Sequence, residues 1–231
     1  MPHCYNERMF VCLFDIDGTL LSSGGAGKAA MAEGMATAFG VPAYADGIPF
    51  SGRTDRAIAR DLFHHHGVAE SADNWRRFVT AYLSHLPDCL NRHNGKVLPG
   101  ISSLLASLQA RGNVAIGLLT GNIRDGARLK LGHYGLYQHF AFGGFGDEHF
   151  QRDDVAREAL ADVQRHLDGN VNLDYVWVIG DTPLDVQCAR AIGARVAAVA
   201  SGWHCLEDLA AAKPDLLLAD LSDASPFLDL L

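Results

Sequence analysis

Two carboxylates, Asp15 and Asp17, stand two positions apart directly behind a short apolar run and are followed by Gly18 and Thr19. In an extended or loop-entry backbone, residues two apart point to the same side, so both acids converge on one small volume. Paired carboxylates repel and raise one another's pKa unless a cation joins them, which makes Mg²⁺ the natural third member. Gly18 accepts a positive φ, and Thr19 offers a hydroxyl or an amide to an anion. An isolated pair of this kind is better read as capping a turn. The strand-like run before it and two further motifs weigh the reading towards chemistry.

The first of those motifs is Gly180-Asp181-Thr182-Pro183-Leu184-Asp185, again closing an apolar run. A purely structural version, with Asp181 as a cap and Pro183 in a first helical turn, fits the same residues. The other is Leu118-Leu119-Thr120-Gly121-Asn122, a weaker signal, because a Thr before Gly at a strand end commonly serves only as a helix cap.

The elements that must position these groups are read from periodicity. Residues 10–14, 114–119 and 175–180 are β-prone apolar runs that end at the motifs, and residues 140–143, 195–200 and 216–219 are further strand candidates. Helical periodicity fills 100–111, 123–134, 153–167 and 184–192. This alternation predicts an α/β fold, a three-layer Rossmann-like parallel sheet whose ligands gather beyond the carboxyl ends of the strands. Residues 22–94 differ. Three helical stretches, near 25–39, 53–66 and 72–86, are divided by turns at Gly40-Val41-Pro42 and Gly47-Ile48-Pro49. The expected organisation is a core of 1–21 and 95–231 with an inserted all-helical cap domain at 22–94.

The chain of 231 residues is long enough for a substantial core, and its composition is that of a globular protein. A formal net charge of −8 disfavours a general nucleic-acid binder but permits a small anionic substrate beside a local cluster of cations. Cys4, Cys12, Cys89, Cys188 and Cys205 are odd in number and form no metal pattern, so they read as reduced structural thiols. Glu7 and Arg8 precede an apolar run cut short at Asp15, which resembles neither a signal peptide nor a membrane span. A cytoplasmic monomer or homodimer is the expectation.

The segment Asp15-Ile16-Asp17-Gly18-Thr19-Leu20 resembles the first motif of the haloacid-dehalogenase-like hydrolases, with the form DxDGT, and 180–185 matches that family's GDxxxD motif. The resemblance covers essentially the whole chain. It implies a Mg²⁺-dependent phosphatase of the phosphoglycolate-phosphatase-like branch, acting on a small phosphate monoester. Asp15 would be the nucleophile and Asp17 the acid/base. Asp15, Asp17 and Asp181 would hold the metal, and Asp185 would support it through water or orient a cation. Thr120 would bind the phosphoryl oxygens, joined by Gly18, Thr19 and the amides of Gly121 and Asn122 at a helix start. Two acids at the metal site, plus Asp17, favour phosphoryl transfer over dehalogenation.

The sequence departs from the family at the third motif, which is usually a Lys ahead of the strand that ends in GDxxxD. No Lys occurs between Lys130 and Lys213, and Arg152 is the best positional replacement, with Arg157 and Lys130 as alternatives. Gly52-Arg53-Thr54-Asp55 resembles a cap sequence of phosphoglycolate-phosphatase-type members, so Arg53 would read the far end of the substrate, unless the segment only starts a helix. Lys28 faces either the closed site or solvent. The run His64-His65-His66 reads as a solvated helix end, since adjacent helical residues point apart. Trp203-His204 follows a strand end and borders the expected pocket. Two other readings remain open. A phosphomutase would return the phosphoryl group to a sugar, and a receiver-like signalling module would carry an Asp phosphoacceptor without a cap.

Overall fold

The run Phe10–Phe14 lacks any polar alternation, and in the computed structural model it is a strand buried at every position, flanked by strands on both sides. The structure describes residues 9–43, 47–169 and 171–231, so Cys4, Glu7 and Arg8 lie outside it. Along the chain follow β1 (Phe10–Phe14), β2 (Leu21–Ser22), α1 (Ala26–Phe39), α2 (Asp55–His65), α3 (Ala72–Arg92), β3 (Lys96–Val97) and α4 (Ile101–Ala110). Then come β4 (Val114–Leu119), α5 (Arg124–His133), β5 (Gly143–Gly144), α6 (Arg152–His166), β6 (Val176–Gly180) and α7 (Pro183–Ala191). The chain ends with β7 (Arg195–Val199), α8 (Leu206–Ala211), β8 (Leu216–Leu218) and α9 (Ser225–Leu228).

Six strands form one parallel sheet in the order β5-β4-β1-β6-β7-β8. The chain leaves β1 outward through β4 and β5, then returns to the other side of β1 for β6, so β1 lies where the winding reverses. At such a switch point the adjacent carboxyl ends open a crevice. Period-two alternation splits β1 between the faces. Phe10, Cys12 and Phe14 pack with α4, α5 and Phe227 of α9, while Val11 and Leu13 pack with α6 and α7. Trp177, 1 % exposed, meets Phe227 edge-on at 5.5 Å. The α/β class and its three layers agree with the sequence expectation.

Between β2 and β3, which pair antiparallel, the chain forms α1, α2 and α3 around their own apolar cluster. Met31, Met35, Ile58, Leu62, Phe63, Phe78 and Leu86 are buried there, and Ile123 from the α/β unit joins them. The amphipathic α2 and α3 each begin with a side-chain cap, Thr54 on the Ala57 amide and Ser71 on the Asn74 amide. Among the described residues no helix is long and apolar enough to cross a membrane.

Three boundaries differ from the sequence reading. The helix expected to stop at residue 86 runs through Pro87 to Arg92, because Cys89 and Leu90 are buried one turn further on. The strand expected at 140–143 reduces to Gly143–Gly144. Tyr137–His139 form a 3₁₀ turn; Ala141 and Phe142 each make a backbone hydrogen bond to β4, but paired strand geometry is reached at Gly143 and Gly144, opposite Leu118 and Leu119. The helix expected from 153 begins at Arg152, which places that side chain in its first turn.

Candidate active site

β1 and β6 end side by side, and their continuations bring Asp15 and Asp181 together. Asp15, Asp181 and Asp185 are buried, and each offers one oxygen such that all three lie within 4.8 Å of one another. Burial first, then the neighbouring Asp185 and Asp15 charges, push the Asp181 carboxyl up to about 8. Burial likewise pushes Asp15 up to about 6, against the opposing pull of Arg152. Three crowded acids, two of them with raised pKa values, are a site short of positive charge. Gly18 and Gly202 make the space: a Cβ on either would run into the Asp181 carboxylate, and Gly18 also holds a positive φ of 85°. Thr19 Oγ1 donates to Asp181 at 3.4 Å, and Ser201 Oγ to the Gly18 carbonyl at 2.7 Å.

The cation on this side is Arg152, 5 % exposed. One guanidinium nitrogen lies 3.1 Å from Asp15 and 2.5 Å from Asp185, and the other reaches the Gly52 carbonyl at 3.4 Å. Burial opposes its charge, yet the two carboxylates hold its pKa well above the ordinary arginine value. Asp185 is fully engaged. Its second oxygen accepts from the Thr182 amide and hydroxyl in a capping box that starts α7 behind Pro183. Of the two roles expected for Asp185, orienting the cation is the one this geometry supports.

Asp17 turns the other way. Its Oδ2 accepts from Lys130 Nζ at 2.6 Å and Asn122 Nδ2 at 3.0 Å, and its Oδ1 from Ser23 Oγ at 3.2 Å. Although burial opposes ionisation, these donors hold the Asp17 carboxyl below the usual range. Its side chain keeps 39 % of its surface open. Lys130 Nζ also donates to Asn122 Oδ1 at 2.6 Å, and Asn122 Nδ2 to Thr120 Oγ1 at 2.9 Å. Thr120 is buried at the end of β4.

Several expected residues stand elsewhere. Gly121 packs against the backbone of Arg53, where a Cβ would run into the Arg53 carbonyl, and its own carbonyl accepts from the Asp55 amide at 2.7 Å. The helix start behind it is occupied: Asp55 Oδ2 accepts from the Ile123 amide at 2.9 Å. The Asn122 side chain serves Asp17 and Lys130 instead. Arg53 does not present its guanidinium to the acids, because it is bound to the Pro49 carbonyl at 3.0 Å and to Asp61 at 2.7 Å. Arg157 is a surface residue paired with Asp154. Lys28 is exposed, its ammonium 5.9 Å from the Phe50 ring centre. His64 and His65 are exposed at the end of α2, and Trp203 is 90 % exposed.

Sequence reasoning missed Ser201 and Gly202, whose only signal was a small pair directly after β7. It treated Asp55 as a helix-start residue of its own segment and did not foresee that it caps a helix of the α/β unit.

Residues 12–199 match the family of haloacid dehalogenase-like hydrolases, and the chain belongs to it. Among curated relatives, the phosphoglycolate phosphatase of Synechococcus elongatus is 30 % identical over 147 residues, 64 % of this chain and 65 % of that protein. The phosphoglycolate phosphatase of Rhodospirillum rubrum is 32 % identical over 142 residues, 59 % and 56 % of the two chains. The chain thus spans less than two thirds of the length of the curated relatives it matches. Its fold is shared with CbbY from Rhodobacter sphaeroides, solved in complex with phosphate, at a TM-score of 0.74, 18 % identity and coverage of 94 % and 96 %. A hydrolase from Pseudomonas syringae superposes at 0.71, with 21 % identity and coverage of 96 % and 98 %.

Proposed function

We propose that this chain is a Mg²⁺-dependent phosphatase that hydrolyses a small phosphate monoester through an aspartyl phosphate on Asp15. The observation that carries the reading is the Arg152 guanidinium spanning Asp15 and Asp185, beside an Asp181 carboxylate that forms no ion pair among the described residues. The donors fit a hard divalent ion, being oxygens in a recess kept open by Gly18 and Gly202. Asp15, Asp181 and the Asp17 carbonyl would hold Mg²⁺, which supplies charge neutralisation at the transferring group. Identity to phosphoglycolate phosphatases supports a phosphoglycolate-like or sugar-phosphate ester as substrate. Residues 22–94 serve as a cap, and the enzyme is read as cytoplasmic, acting as a monomer or homodimer.

In the first displacement a bond forms between an Asp15 oxygen and phosphorus while the ester P–O bond breaks; because its donors hold Asp17 ionised before substrate binds, the proton enters with a monoanionic ester, passes to Asp17 and is taken from it by the departing oxygen. In the second, water attacks phosphorus, Asp17 takes its proton, and the bond to Asp15 breaks. Splitting the substitution in two is the gain of a covalent intermediate, and the proton transfers are each worth about 10²–10⁴-fold. Arg152 would hold the nucleophile and the phosphoryl oxygens by a planar fork where a Lys would act as a point charge.

A panel of phosphate esters assayed with and without Mg²⁺ tests the reading. Turnover is expected only with the ion and is abolished by chelation, whereas full activity in excess chelator rejects it. Product analysis with a sugar monophosphate separates hydrolysis from transfer to a second hydroxyl.

A further inference from the structure

Resting on the phosphatase reading, we propose that Lys130 is a positioning residue for Asp17: it fixes the acid/base carboxyl at the leaving-group side and does not bind the transferring phosphoryl group. Lys130 is 5 % exposed in α5, 113 residues beyond its partner in sequence. Its ammonium, Asp17 Oδ2 and the Asn122 amide close a triangle with sides of 2.6, 2.6 and 3.0 Å. The remaining Asp17 oxygen is held by Ser23. A buried ammonium is tolerated only when its donors are satisfied. Its place is enclosed from the other side by α1, where a Cβ on Gly27 would lie 3.1 Å from Lys130 Nζ.

The position of this lysine separates it from a phosphoryl clamp. Arg152 meets Asp15 and Asp185, whereas the Lys130 hydrogen bonds go to Asp17 and Asn122. An Asp carboxyl on its own turns broadly about its last torsion. Bonds to both oxygens remove that freedom. Small misplacements of a reacting group cost large factors: about 10²-fold for 1 Å. The expected consequence is selective. An alkyl phosphate needs a proton on its departing oxygen, but a dinitrophenyl phosphate departs as a stable anion. Both need Asp17 again in the second displacement, when it takes a proton from water.

The test uses the full chain with Mg²⁺, comparing the parent with Lys130→Met and Lys130→Arg on glycerol phosphate and on 2,4-dinitrophenyl phosphate. With Lys130→Met, kcat on glycerol phosphate should fall about 10²-fold while KM stays within about threefold. With the dinitrophenyl ester, the variant should release a burst of dinitrophenolate at close to the parent rate, stoichiometric with enzyme, and then turn over slowly. Lys130→Arg should recover part of the lost kcat. An equal loss on both esters without a burst, or a raised KM with kcat kept, overturns the proposal and makes Lys130 a substrate contact. If Lys130→Met does not fold, as judged by circular dichroism, Lys130→Gln carries the same comparison. A parent that turns over no ester at all removes the phosphatase reading and this proposal together, whereas an active parent with the wrong variant pattern removes only the proposal.

Discussion

The two sides of the site are held by different parts of the molecule. Asp15, Asp181, Asp185 and Arg152 hang from the ends of β1 and β6 and from the first turns of α6 and α7, and the Gly52 carbonyl is the contact they receive from the helical insertion. Asp17 is held by Ser23 beside β2 and by Lys130 and Asn122, close to where Asp55 of α2 caps α5. The side proposed to take the phosphoryl group is therefore built largely into the sheet. The side proposed for the leaving group is assembled across a boundary, with Lys130 and Asn122 from the α/β unit and Ser23 from the start of the insertion, so a motion of the insertion would release the Ser23 contact to Asp17 while the Asp15–Arg152 ion pair lies within the α/β unit.

Substitutions on the sheet side should be severe and indifferent to the ester. On the proposed mechanism, Asp15→Asn is expected to lower kcat at least about 10⁴-fold on every phosphate ester, since Asp15 would be the covalent carrier. A residual rate within about 10²-fold of the parent would place the attacking group elsewhere. In the parent, a chiral phosphate ester should yield phosphate with retained configuration, because two in-line displacements restore the original hand. Next in size is Arg152→Ala, for which a loss of about 10²–10³-fold in kcat/KM is expected, equal for alkyl and aryl esters. Less than about tenfold, or a loss confined to alkyl esters, would make Arg152 part of the leaving-group side and break the comparison.

The same division governs what the sequence made legible. Asp15, Asp17, Asp181 and Asp185 were readable because each lies within a few residues of an apolar strand whose end fixes its place. Arg152 was reachable by position alone, from the missing Lys and the acidic first turn that follows it. The partners of Asp17 were not readable at this level. Lys130 and Ser23 come to it through packing of α5 and β2, and Asp55 meets Ile123 across 68 positions, so no spacing encodes either contact. Arg53 shows the converse case. A motif suggested a ligand, but Asp61 lies two turns further along the same face of the insertion and captures the guanidinium. Pro87 and the 140–143 run failed for a related reason, since local propensity yielded to buried Cys89 and Leu90 in one case and to a two-glycine sheet edge in the other.

The smallest effect on turnover is expected at Asp55, and it probes how the insertion docks. Burial pushes this carboxyl up to about 7 from an unfolded value of 3.8, despite the Lys130 charge nearby. The folded protein therefore binds more protons at this position between those two values. The stabilisation is complete below the unfolded pKa, declines as pH rises towards about 7, and is flat above it. Asp55→Asn keeps an acceptor for the Ile123 amide and has no proton to lose. Its kcat should stay within about threefold of the parent at neutral pH, since no reacting atom is touched. Its unfolding free energy relative to the parent should rise by up to about 4 kcal/mol between pH 4 and 7 and then level off, which denaturant unfolding at several pH values measures. A difference independent of pH would mean that Asp55 is ionised when folded, so that the insertion docks through an ion pair with Lys130. In that case Asp55 would compete with Asp17 for the same ammonium, and its loss would tighten the hold on the acid/base carboxyl instead of leaving it unchanged.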